Sequence, residues 1–117
     1  VDETTGEELT PLAHSSSRWV FAEQTAEKLQ KLLAGVVAEG TGQQAPPSEG
    51  TAAGKTGTAQ TGQFRDGEEL KNYWFAGFYP AEKPRWTIVV MQDAQTEPEV
   101  SSAAVFARLC DALSAGE

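Results

Sequence analysis

One run of residues constrains the fold of this chain more than any other. Between positions 23 and 39, Ala26, Leu29, Leu32, Leu33, Val36 and Val37 recur at three- and four-residue spacing. That is the period of a helix with one apolar stripe. Glu23, Glu27, Lys28, Lys31 and Glu39 occupy much of the other side. Glu27 precedes Lys31 by four residues, the favourable order for a surface pair on a helix. Gly40 follows as a C-cap residue would and ends the helix. A helix with a single apolar stripe has to lie against another layer, so the rest of the chain must supply one.

The layer expected is a sheet. Residues 40–51 are rich in Gly, Gln, Pro and Ser, and Pro46-Pro47 forbids helix there. Residues 52–59, Ala-Ala-Gly-Lys-Thr-Gly-Thr-Ala, read as a strand whose glycines mark the close approach of another group. A polar stretch over 60–71, containing Asp66-Gly67, is expected to be a loop. Tyr73–Tyr79 and Trp86–Met91 then have the aromatic and β-branched content of strands, and Pro80-Ala81-Glu82-Lys83-Pro84 joins them at hairpin length. After a break at Glu97-Pro98-Glu99, Val105, Phe106, Leu109, Cys110 and Leu113 predict a second amphipathic helix. Residues 1–21 read as extended, with a turn at Thr4-Thr5-Gly6 and a short strand over Arg18–Phe21. The fold class expected is α+β. About three main antiparallel strands and an N-terminal hairpin form the sheet, and helices pack on its faces.

Charge narrows the partners. Seventeen Asp plus Glu face nine Lys plus Arg, a net charge of −8, and no basic cluster offsets it. Such a surface repels phosphate backbones and argues against nucleic acid. No run approaches the ~20 apolar residues that span a bilayer. The single cysteine, Cys110, sits within the apolar pattern of the last helix and reads as a small core residue. His14 beside Ser15, Ser16 and Ser17 reads as a polar loop, because no acidic residue is placed to orient the imidazole.

Gly54-Lys55-Thr56 invites comparison with a phosphate-binding loop. That motif needs two glycines separated by four residues before Lys-Ser/Thr. Here only three residues separate Gly50 from Gly54, and no apolar strand precedes them. The better description is Lys55-Thr56-Gly57-Thr58-Ala59-Gln60. A helix ending in Val36-Val37-Ala38-Glu39-Gly40-Thr41-Gly42 precedes it, and Trp74-Phe75-Ala76-Gly77-Phe78-Tyr79-Pro80 and a Val-rich strand follow. In order and spacing this run resembles the end of the transpeptidase domain of high-molecular-weight penicillin-binding proteins, most closely the monofunctional class B kind. The resemblance covers nearly the whole chain and is tightest from Ala26 to Asp93.

The resemblance implies a D,D-transpeptidase that cross-links peptidoglycan through an acyl-enzyme on a D-Ala-D-Ala stem peptide and is inhibited by β-lactams. It implies no metal or cofactor. The Lys-Thr-Gly strand of the family is an edge strand, antiparallel to the bound peptide. Carried over, Lys55 would stabilise negative charge and share in proton traffic, and the hydroxyls of Thr56 and Thr58 would hold the terminal carboxylate. Gly57 would let the ligand lie against the backbone, and the Thr58 N–H would be one of two oxyanion donors. Catalytic roles thus fall to Lys55 and Thr58, and substrate binding to Thr56, Gly57 and Thr58.

Two further motifs of the family are absent. The nucleophile belongs to Ser-x-x-Lys, yet none of Ser15, Ser16, Ser17, Ser48, Ser101, Ser102 and Ser114 has Lys three residues on. Ser-x-Asn is missing too, since Leu70 stands two residues before Asn72, the sole asparagine. Both motifs precede the Lys-Thr-Gly strand in the family. Residues 1–117 are therefore expected to be the C-terminal segment of a transpeptidase domain, inactive alone, with the nucleophile and any membrane anchor in preceding sequence. The parent protein would act at the extracytoplasmic face of the bacterial membrane. Without the family's first two strands, the strand at 86–91 would be left as an open edge and the segment would dimerise through it. Exposed aromatic surface from Trp74, Phe75 and Trp86 is expected to favour the same association. The alternative from another class is a non-catalytic binding or sensor module of the same fold.

Overall fold

The computed structural model describes residues 18–116. The elements run α1 (Glu23–Glu39), β1 (Ala53–Arg65), β2 (Glu68–Tyr79), β3 (Trp86–Gln95) and α2 (Ser102–Ala115). The three strands form one antiparallel sheet in the order β1-β2-β3. This is the α+β arrangement expected, with α1 packed on β1 and α2 on β2 and β3. The expected N-terminal hairpin fares differently. Its residues 1–17, with His14 and Ser15–Ser17, lie outside the described residues, and Arg18–Phe21 is not a strand. A strand needs a hydrogen-bonding neighbour; the described sheet offers none here, and Trp19 is 89% exposed.

The stretch over 60–71 is not a loop. β1 runs on to Arg65, turns at Asp66-Gly67 and returns as β2 from Glu68. Asp66 (φ 53°) and Gly67 (φ 86°) both have positive φ, as a two-residue type I′ hairpin requires. Asp-Gly is the sequence signal for that turn, and the polar flanks concealed it. From Gln63 to Glu68 every residue is exposed, so this part of the ribbon carries no apolar alternation, and Leu70 is buried where the ribbon rejoins the sheet. The ladder slips between Gln60 and Phe64. There the Glu69 carboxylate accepts from Gln60 Nε2 (2.9 Å) and from the Gly62 N–H (3.1 Å) and secures the bulge.

The core lies between the sheet and α2. Phe75 and Phe106 are fully buried with ring centroids 4.7 Å apart, and Cys110, Ala103 and Val90 close around them. The slot for these rings is made by two glycines paired across the strands, Gly54 opposite Gly77. A Cβ on Gly54 would stand 2.6 Å from the Phe75 ring, and one on Gly77 would stand 2.9 Å from the Phe106 ring. The expectation of an exposed Phe75 is therefore wrong: within β2 it points to α2 and takes the centre of the core. Trp74, its neighbour, points to the other face and is 38% exposed.

The stripe on α1 is buried only at its end. Val37 joins the core cluster, whereas Leu29 and Leu32 are exposed. The loop from 40 to 51 is fixed to α2 at two places. Ser48 donates through N–H (2.6 Å) and Oγ (3.0 Å) to the Asp111 carboxylate, and Ser101 Oγ donates to Gln44. The Tyr79 hydroxyl adds bonds to Glu49 O (3.0 Å) and Ser114 Oγ (2.8 Å), and the Tyr79-Pro80 peptide is cis.

Candidate functional site

β1 pairs with β2 on one side and has no described neighbour on the other, so the Lys-Thr-Gly run occupies an open sheet edge. Lys55, Thr56, Gly57 and Thr58 lie opposite Ala76, Phe75, Trp74 and Tyr73. Side chains alternate along a strand, so Thr56 and Thr58 share the face of Phe75 and Tyr73, while Lys55 leaves on the opposite face. The lysine stem curls back round the edge. Its ammonium bonds Thr56 O at 2.9 Å and Thr56 Oγ1 at 3.3 Å. A cation and a hydroxyl from opposite faces thus meet at one point of the edge.

A groove of about 210 Å³ runs along this face. Thr56, Gly57, Thr58 and Tyr73 form its floor, and Thr41, Glu97 and Ser101 stand among its walls. Each wall has a local cause. Ser101 caps α2 by accepting from the Ala104 N–H at 3.1 Å. Ser102 is buried and satisfied, donating to Tyr73 O (2.8 Å) and accepting from Gln92 Nε2 (3.0 Å), which binds the start of α2 to the sheet. Tyr73 holds the 96–98 segment through a bond from its hydroxyl to Thr96 O. Thr41 reaches Thr56 Oγ1 at 3.1 Å.

The two glycines of the motif differ in what requires them. Gly54 is needed by the fold, because a side chain there would overlap the Phe75 ring. Gly57 is not: an added Cβ would meet only Trp74 Cβ, at 3.5 Å, an ordinary contact. Glycine inside a strand costs roughly 0.5–1 kcal/mol relative to alanine. Nothing within the described chain compensates that cost at Gly57, and the position faces open space. Lys55, Gly57 and Thr58 are all exposed, and Thr56 is half-buried.

Two other concavities among the described residues differ in character, and one of about 600 Å³, lined by Glu68, Glu69, Lys71 and Thr96, is polar and acidic. A larger concavity of about 620 Å³ is lined by Arg18, Trp19, Val20, Phe21, Glu23 and Ala26 and is mainly apolar. Among the described residues no cluster of His, Cys, Asp and Glu could hold a metal, and no helix is long and apolar enough to cross a membrane. Cys110 is fully buried, as its pattern implied, and burial pushes its thiol up to about 11. The sequence pointed to Lys55, Thr56, Gly57 and Thr58; they are consecutive on β1, and the last three line the groove. It gave no role to Thr41, whose one signal was its place between two glycines at the end of α1.

An antiparallel sheet with two packed helices, Lys-Thr-Gly-Thr on its open edge and a groove beside that edge define a domain of the α+β class. The family model for the penicillin-binding protein transpeptidase domain matches residues 9–111, and the chain belongs to that family. Stage V sporulation protein D of Bacillus subtilis (strain 168) is 34% identical over 96 residues, which are 80% of this chain and 15% of that protein. Penicillin-binding protein PbpB of Mycolicibacterium smegmatis is 38% identical over 89 residues, 64% of this chain and 13% of that protein. The chain thus spans about a seventh of the length of the curated relatives it matches. Among solved structures, the transpeptidase domain of Burkholderia pseudomallei penicillin-binding protein 3 superposes with a TM-score of 0.74 at 26% identity, over 94% of this chain and 35% of that one. The D,D-transpeptidase domain of a peptidoglycan glycosyltransferase from Eggerthella lenta gives 0.60 at 34% identity, over 80% of this chain and 21% of that one.

Proposed function

We propose that residues 53–59 form one wall of the donor-peptide site of a serine D,D-transpeptidase, and that the nucleophile comes from sequence outside residues 1–117. The observation that carries this reading is Gly57: a glycine in an exposed edge strand that the fold does not require and a ligand backbone would. A stem peptide ending in D-Ala-D-Ala, or a β-lactam in its place, lies antiparallel to β1. Its terminal carboxylate accepts from the Thr56 and Thr58 hydroxyls beside the Lys55 ammonium. The Thr58 N–H is one of two donors to the oxyanion that develops as the serine oxygen adds to the scissile carbonyl; losing such a donor costs ~100- to 1,000-fold in rate. The serine proton passes to the base, the C–N bond breaks, and the leaving amine takes up a proton. Lys55 supplies fixed positive charge next to this traffic.

The full-length protein would act at the extracytoplasmic face of the bacterial membrane, with its anchor outside these residues. The test is intact-mass analysis of that protein after incubation with benzylpenicillin. A stoichiometric adduct on a serine outside residues 1–117, slowed by Lys55→Ala, is the expected result. Absence of any adduct would favour the non-catalytic binding module and overturn the transpeptidase reading.

A further inference from the structure

The turn that ends α1 is built around a single side chain. The N–H groups of Gly40 and Gly42 both donate to Val36 O, at 3.1 and 3.0 Å. A Cβ on Gly40 would stand 2.9 Å from that oxygen, and one on Gly42 would stand 3.2 Å from it. The chain therefore curls tightly onto Val36 with glycine on either side, and Thr41 between them is the side chain the turn presents. Its Oγ1 lies 3.1 Å from Thr56 Oγ1, and both residues line the groove.

Counting hydrogens gives this contact a direction. The Lys55 ammonium has no lone pair, so in its 3.3 Å contact Thr56 Oγ1 is the acceptor. Thr56 then has one lone pair and one hydrogen left. If that hydrogen is used on Thr41, the Thr56 oxygen meets a ligand with lone pairs only. If Thr41 donates instead, both lone pairs of Thr56 are filled and its hydrogen is free for the groove. A carboxylate can only accept, so it selects the second arrangement. We propose that Thr41 is a positioning residue: it donates to Thr56 and so directs the Thr56 hydrogen at a carboxylate in the groove. Thr41 acts on the ligand through Thr56. Successive donation along Thr41, Thr56 and the ligand strengthens each bond, and a charged acceptor gains about twice what a neutral one gains.

The proposal rests on the transpeptidase reading, and the experiment separates the two. In the full-length protein, acylation rates are measured by intact mass with benzylpenicillin and with its uncharged methyl ester, for wild type, Thr41→Val, Thr41→Ala and Thr41→Ser. Loss of one such hydrogen bond predicts a fall of about three- to tenfold for benzylpenicillin in Thr41→Val and Thr41→Ala. The ester rate should change by less than about twofold, and Thr41→Ser should keep the wild-type preference. A merely structural role would slow both compounds alike; equal falls, or no fall, overturn the assignment of Thr41 while the transpeptidase reading stands. A wild type that neither compound acylates overturns the transpeptidase reading and the role of Thr41 with it.

Discussion

Replacing each motif glycine by alanine separates what the fold demands from what the ligand demands. At Gly54 the new Cβ would sit 2.6 Å from Phe75 Cε1, 2.7 Å from Cζ and 2.8 Å from Ala76 O. Phe75 is wholly enclosed and packed on Phe106, and Ala76 O is backbone, so neither has room to withdraw. Overpacking of this kind costs about 1–3 kcal/mol. At Gly57 the nearest atom to the new Cβ is 3.5 Å away, and the position does not have positive φ. Gly57→Ala should therefore hold or raise stability, by up to about 1 kcal/mol, through the lower entropy of the unfolded chain. Ligand uptake should move the opposite way, because a methyl group on the Gly57 backbone would crowd the approach of a peptide to the β1 edge. Urea unfolding read by tryptophan fluorescence gives the stability of each variant in the full-length protein, and penicillin acylation gives its function. Gly54→Ala should lose stability and Gly57→Ala should lose acylation alone. If Gly57→Ala is as destabilised as Gly54→Ala, the glycine has an internal purpose and the argument that it faces a ligand collapses.

Three other expectations are simpler to check. The isolated chain of residues 1–117 should gain no mass with benzylpenicillin; a stoichiometric adduct on any of its seven serines would mean that the site is complete without outside sequence. With the outer edge of β3 unpaired among the described residues and Val89 and Met91 exposed, the same isolated chain should associate in a concentration-dependent way, and Val89→Lys should weaken this. A strictly monomeric chain by light scattering across that range would contradict it. The Cys110 thiol is raised to about 11, mainly by burial, from an ordinary value near 9. Its stabilising contribution is whole below pH 9 and is lost as pH rises towards 11, since the unfolded thiol ionises first. Alkylation near pH 8 should accordingly follow unfolding, and fast labelling of the folded protein would place the thiol elsewhere.

What could be read from the residues and what could not divide along physical lines. The bounds of α1 follow from a sustained 3.6-residue period and the glycine at its end, both local properties. β1 was half legible. Ala52–Ala59 was marked by small residues and threonines, but Gln60–Arg65 was concealed because a ribbon open on both faces carries no alternation, and only Asp66-Gly67 recorded the turn. Phe75 was placed on the wrong face. Which of two adjacent aromatics points inward depends on strand register, and that was set by the Gly54–Gly77 pair, a contact between residues remote in sequence. The exposure of Leu29 and Leu32 was not legible either, because periodicity shows that a face is apolar without showing what covers it.

The same distinction explains why Thr41 escaped notice while Lys55 did not. Lys55, Thr56, Gly57 and Thr58 are adjacent in sequence, so one strand both carries and arranges them, and a short motif suffices to mark them. Thr41 joins them through a turn whose shape depends on two N–H groups sharing Val36 O. The turn is local, but its contact with Thr56 follows from where α1 stops beside β1, a property of packing and not of any short pattern. A site on an open sheet edge needs such a neighbour. The strand fixes its backbone, but a threonine hydroxyl at an edge still rotates, and only a second element close by can choose where its hydrogen points.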